Sequence, residues 1–81
     1  MQMADYNVIF TNKALASMKG WGLSEGEVLD AFNHGETETS SRFDGWNAIK
    51  KYPGREIGVS YSRKKDTGQW VIVNVWKRER T

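Results

Sequence analysis

No cysteine occurs among the 81 residues. Disulfide staples and zinc sites built on thiolates are therefore excluded. Small secreted domains often depend on such staples, so a cytoplasmic setting is expected. No apolar run approaches the ~18–20 residues that a membrane span requires, and no membrane association is expected. The N-terminus, Met1 to Tyr6, lacks the basic and apolar regions of a signal peptide. No carboxylate pair has the spacing of a metal or glycosidase site, and no glycine loop resembles a phosphate cradle. Neither a metal nor a cofactor is expected. The lone histidine, His34, falls at the expected C-terminal end of a helix, where a cation or cap is favourable. As a general base it has no evident orienting partner. Repeats, linkers and low-complexity segments are also missing.

What remains is one domain's worth of chain, residues 1–81. A domain this short buries only roughly 60–65% of its unfolded surface. Its four tryptophans and three phenylalanines therefore matter to the core. The net charge of +2 hides an asymmetry. Residues 1–41 hold two Lys against six Asp and Glu, whereas residues 42–81 hold ten Lys and Arg against four acids. A basic half suggests a polyanionic partner. Mutual attraction of the two halves, or attraction to a second acidic protein, is the alternative.

Local signals give an element order. Asn7 to Phe10 is a short β-branched run, read as a first strand or an extended lead into a helix. Thr11 or Asn12 can cap a helix to about Lys19, with Ala14, Leu15 and Met18 apolar. Gly20-Trp21-Gly22 ends it. Ser24-Glu25-Gly26-Glu27 is a capping box, with Leu23 and Val28 placed as a hydrophobic staple and Gly35 as the stop. Glu36 to Phe43 suits an exposed strand, and Asp44-Gly45 a turn. Trp46 to Tyr52 is the next strand, followed by a Pro53-Gly54 turn. Glu56 to Arg63 alternates, and Lys64 to Gly68 is a polar hairpin loop. Gln69 to Trp76 closes the pattern as a largely apolar strand. The expected fold is α+β, β-α-α-β-β-β-β, with both helices on one face of a twisted antiparallel sheet.

This layout resembles the small bacterial domains of the RelE/ParE/BrnT toxin superfamily. A closer similarity is to an uncharacterised BrnT-related family whose members open T-x-H-A-x-x-R-M and continue R-G-I-S-x-x-x-V. The matching residues are Thr11, Ala14 and Met18, then Gly22, Leu23, Ser24 and Val28. Gly58 to Tyr61 and Val71 to Lys77 resemble the family's late strands. Lys13 stands at the family's His, and Ser17 and Trp21 at its two Arg positions. The resemblance implies a toxin-like RNA-binding domain of a toxin–antitoxin system and a metal-independent endoribonuclease. Implied partners are RNA or the ribosome and an acidic antitoxin. The ParE-type branch implies a topoisomerase target instead.

Metal-free RNA cleavage needs a base, cations facing the phosphorane and an acid. The resemblance implies that sheet residues supply them, here Arg55, Tyr61, Arg63 and Lys77, with Arg78 nearby in sequence. Arg55, Tyr61 and Arg63 share a strand face with Ile57 and Val59. If that face packs under the helices, the arginines are only solvated strand ends. Trp70, Ile72, Asn74 and Trp76 share another face, opposite Val71, Val73 and Val75. With the valines under the helices, the Trp face is open for base stacking or for an interface with an antitoxin or a second copy. Both Trp as plain core is the third reading. Trp46, Lys50 and Tyr52 interleave aromatic and basic character, which suits RNA or an edge strand. Lys50-Lys51 and Lys64-Lys65 read as solvated edge and loop charges. The alternative function is a non-catalytic protein-interaction module or homodimer.

Overall fold

The computed structural model describes residues 8–40 and 44–79. Its elements are β1 (Val8–Phe10), α1 (Asn12–Trp21), α2 (Glu25–His34), β2 (Glu36–Thr39), β3 (Trp46–Tyr52), β4 (Arg55–Arg63) and β5 (Trp70–Glu79). This is the expected β-α-α-β-β-β-β order of an α+β fold. The part of the expected second strand at residues 41–43 lies outside the described residues. No helix among the described residues is long and apolar enough to cross a membrane.

The strands form one sheet ordered β1-β5-β4-β3-β2. The short turns after β2, β3 and β4 fold those strands and β5 into the expected antiparallel meander. One edge differs from a purely antiparallel sheet. β1 pairs parallel with β5, with Val8 opposite Trp70 and Phe10 opposite Ile72. A parallel neighbour needs a long connection, and everything from α1 to β4 supplies it.

Both helices owe their starts to side-chain caps. The Ser24 hydroxyl accepts from the Glu27 amide at 3.1 Å, while Glu27 Oε1 accepts from the Ser24 amide at 2.9 Å. The expected capping box is thus complete, and Leu23 and Val28 are both buried beside it. Thr11, not Asn12, caps α1: its hydroxyl accepts from the Ala14 amide at 3.0 Å. α1 ends at Gly22, whose φ of 72° is left-handed. Gly35 stops α2 in extended backbone, so its role is spatial rather than conformational. A Cβ there would lie 2.6 Å from the Ala31 carbonyl oxygen and 2.8 Å from the Ile49 carbonyl carbon. The missing side chain lets the end of α2 press on the β3 backbone.

The core lies between the helices and one sheet face. Ala14, Val28 and Ala31 from the helices and Ala48, Ile57, Val59 and Ile72 from the sheet are all completely buried. Thus the face of β4 that carries Ile57, Val59 and Tyr61 is the covered one. On β5 the expected alternation fails. Ser60 pairs with Asn74, but the next residue, Tyr61, pairs with Ile72, which leaves Val73 as a bulge. One extra residue reverses the faces on either side of it. Trp70, Ile72 and Val75 accordingly face the helices, while Val71 and Trp76 face away. Neither the expected Trp face nor the expected Val face exists as one surface. The bulge's carbonyl is not wasted. It accepts from the same Thr11 hydroxyl that caps α1, at 3.1 Å.

Candidate nucleic-acid interface

The two ends of β4 have different electrostatics. At its start, acids of α2 meet cations of the sheet. Asp30 accepts from Lys50 Nζ and from the Tyr52 hydroxyl, each at 2.7 Å. Glu27 lies 3.4 Å from Arg55 Nη2, and the Arg55 guanidinium sits 4.9 Å from the Tyr52 ring centre. The hydrogen bond from Lys50, then that from Tyr52, hold the Asp30 carboxyl below its usual range. Burial, reinforced by the Asp30 carboxylate, pushes the Tyr52 hydroxyl up to about 12. These pairs join the acidic and basic halves of the chain, so part of the charge asymmetry is spent internally.

At the other end the cations are not neutralised. Lys77 lies 3.8 Å from Glu79, and Arg78 lies 3.4 Å from Glu56, both toward the start of β4. Arg63, Lys64 and Lys65, consecutive at the end of β4, have no salt bridge among the described residues. Beside them the antiparallel register gathers aromatics. Trp46 pairs with Tyr61, and Trp70 pairs with Arg63. Trp46 and Tyr61 stack at 5.6 Å and 25°, and Trp70 meets Tyr61 edge-on at 5.5 Å. Phe32 of α2 closes the cluster against Tyr61 at 4.9 Å.

Arg63 is held in place. Its guanidinium carbon lies 5.0 Å from the Trp70 ring centre, and its Nε donates to the Gly68 carbonyl at 3.2 Å. The left-handed Gly68, with φ of 75°, turns the loop back so that this carbonyl is available. Lys64 pairs with the same loop, its amide donating to Gln69 at 2.9 Å and its carbonyl accepting from Gly68 at 2.8 Å. A fixed guanidinium keeps the other donors of its fork for a ligand.

Around Arg63 runs a shallow cleft in two parts that share Trp46, Arg63 and Lys65. One, of about 320 Å³, is lined by Thr39, Asp44, Gly45, Trp46, Arg63 and Lys65. The other, of about 310 Å³, is lined by Trp46, Arg63, Lys64, Lys65 and Gly68. Among the described residues no group of three or more His, Asp or Glu is placed to hold a metal ion. No family model, curated protein or solved structure matches this chain.

The four residues named for catalysis do not converge. Arg55 and Arg63 stand at opposite ends of β4, separated by eight residue steps, or roughly 26 Å at the usual strand rise. Lys77 pairs with Ile57 near the Arg55 end. Only Tyr61 and Arg63 belong to the cleft end. Arg55 is instead held by Glu27 and the Tyr52 ring, its Nε buried without a partner among the described residues.

The six binding candidates divide likewise. Trp46 lines the cleft, and Trp70 backs it. Lys50 belongs to the Asp30 network. Asn74 is held by α1, its Oδ1 accepting from the Ser17 hydroxyl at 2.7 Å. Trp76 and Arg78 lie on the sheet face away from the core, where the Trp76 ring covers Gly58. Lys64 and Lys65, read from the sequence as solvated loop charges, are exposed and line the cleft as well. In the sequence Asp44 carries only a turn signal and Thr39 only an exposed-strand signal, so neither stands out as a site residue. The available signal was the run Arg63-Lys64-Lys65 entering a hairpin loop, but its relation to Trp46 required the register of β3 on β4.

Proposed function

We propose that this chain is a toxin-like RNA-binding domain that holds a short single-stranded segment in the cleft around Trp46 and Arg63. The observation that carries this reading is the union of an aromatic wall with three cations that have no salt bridge among the described residues. Arg63, Lys64 and Lys65 supply charge for phosphates. Trp46 supplies a ring on which a base can stack. The shallow, open shape suits a strand end or loop better than a duplex, whose bases are not available for stacking. The toxin-like part rests on the resemblance of the helix opening and late strands, together with the element order. Arg63 is the residue through which this same cleft would act on a phosphate, while Tyr61, buried behind Trp46, supports the wall. Arg55 and Lys77 are too distant to share that work.

The test is binding of labelled single-stranded RNA by the full chain, measured across salt, against the same sequence as a duplex. The expected result is preferential single-strand binding that weakens steeply with salt and is lost in an Arg63→Ala/Lys65→Ala variant. Equal binding by that variant would remove the cleft from the reading. Inducible expression in a bacterium, with growth and RNA integrity followed, tests the toxin part. Intact RNA with normal growth would overturn it.

A second reading, a protein-interaction module, is favoured by one observation. α1 leaves Leu15 44% and Trp21 46% exposed, the large apolar residues of the described chain most open to solvent. Sedimentation of the chain alone and of a Trp21→Ala variant tests self-association through this helix. A monomer at all concentrations would remove the homodimer.

A further inference from the structure

One acid lines the cationic cleft. Asp44 lines the same part of it as Thr39, Gly45, Trp46, Arg63 and Lys65. It is exposed, and it makes no hydrogen bond or salt bridge among the described residues. Its place is set by the β2–β3 hairpin. Thr39 pairs with Trp46 there, and the Ser40 amide donates to the Gly45 carbonyl at 3.0 Å.

A carboxylate in a cleft for a polyanion weakens phosphate binding unless the ligand brings donors to it. Bases on single strands are read along their exposed edges by hydrogen bonding while they stack on aromatic rings. A carboxylate has two acceptor oxygens and no donor. Cytosine and adenine each bring one amino group to such an edge. Uracil brings one imide N–H flanked by carbonyl oxygens, which a carboxylate repels. Guanine alone presents two adjacent donors, its ring N1–H and its amino group, in the parallel arrangement that a carboxylate accepts. Each part of the cleft, about 320 and 310 Å³, is of the size class that takes one small ligand.

We infer that the cleft selects guanine, with Trp46 as the stacking ring, Asp44 as the double acceptor for the base edge, and Arg63 with Lys65 holding the attached phosphate. This rests on the cleft being the RNA site and names the base that site prefers. Asp44 then acts as the specificity-determining residue. It offsets its own repulsion of phosphate only when guanine is bound.

The experiment is a titration of the full chain with guanosine, inosine, adenosine, cytidine and uridine 5′-monophosphates at one low ionic strength, followed by tryptophan quenching. Inosine lacks the amino group and so isolates one of the two donors. The expected result is guanosine monophosphate binding about tenfold tighter than the other four. In Asp44→Ala that preference collapses, while uridine monophosphate binds as well as before or better. Circular dichroism confirms that the variant is folded, as expected for an exposed residue. Equal binding of all five nucleotides overturns guanine selection but leaves the RNA-binding reading in place. A guanine preference that survives in Asp44→Ala overturns the role of Asp44. No binding of any nucleotide, together with no binding of single-stranded RNA, overturns both readings.

Discussion

Replacing Gly58 with alanine brings two effects of opposite sign into direct comparison. Gly58 is in the middle of β4, and its cross-strand partner is Trp76. A Cβ on Gly58 would lie 2.1 Å from two carbons of the Trp76 ring, so the indole rests where that atom would be. Alanine restricts the unfolded chain and by itself stabilises a compatible strand position by ~0.4–1 kcal/mol. Against this, the indole must leave the glycine. A tryptophan side chain buries ~150–250 Å². Trp76 is only half-buried, so displacing it re-exposes ~100 Å², worth ~2.5 kcal/mol at ~25 cal/mol per Å². The steric term wins, and Gly58→Ala should destabilise by about 1.5–2 kcal/mol. Urea unfolding measures this. With a slope near ~1 kcal/mol/M for a small domain, the midpoint falls by about 1.5–2 M. The decisive control is the same substitution in a Trp76→Ala background. With no ring to displace, only the chain-entropy term remains, so the sign should reverse to a stabilisation of ~0.4–1 kcal/mol. An unchanged or raised midpoint for Gly58→Ala in the otherwise native chain would refute the packing of Trp76 on this glycine.

Thr11→Ala should cost ~1–2 kcal/mol in thermal or urea unfolding, because one hydroxyl both caps α1 and satisfies the bulged Val73 carbonyl. Thr11→Ser should recover most of it. The Asp30–Tyr52 contact gives two pH limbs. The Asp30 pKa is lowered by folding, so its contribution is present above the ordinary carboxylate value and is lost as pH falls through the lower folded value. The Tyr52 pKa is raised to about 12, so its contribution is complete below the ordinary tyrosine value near 10 and is lost as pH rises toward about 12. Stability measured against pH in Tyr52→Phe should lack the alkaline limb. Removing Arg63 should lower the slope of log affinity for single-stranded RNA against log salt by ~0.7, the value for one phosphate contact on a single strand. An unchanged slope would place Arg63 off the phosphate. Trp46→Ala should weaken the same binding by ~1–3 kcal/mol per stacked base with the slope preserved.

Features that depend on near neighbours are legible in the order of residues alone. Ser24 and Glu27 are three residues apart, so their reciprocal hydrogen bonds follow from spacing alone. The Pro53-Gly54 turn and the Lys64 to Gly68 loop set which strands become antiparallel neighbours, and hence the meander. The alternation of Ile57, Val59 and Tyr61 gives β4 one apolar face, and the docking of the helices makes it the covered one. Contacts between distant residues decided the rest. The hydroxyl of Thr11 reaches the Val73 carbonyl across 62 positions, and the bulge there moves Trp70 and Trp76 to opposite faces. No local pattern carries that information, because the extra residue is defined only by the strand it is paired with. The same holds for charge. Lys50 and Arg55 look as available as Arg63 and Lys65 along the chain, and only the docking of α2 on β3 and β4 brings Asp30 and Glu27 to the first pair. The candidate site gathers cations that tertiary pairing leaves without a carboxylate partner among the described residues, beside an aromatic wall. Its residues were all visible in the sequence, but their convergence depends on strand register and helix placement, which are set by burial over the whole core.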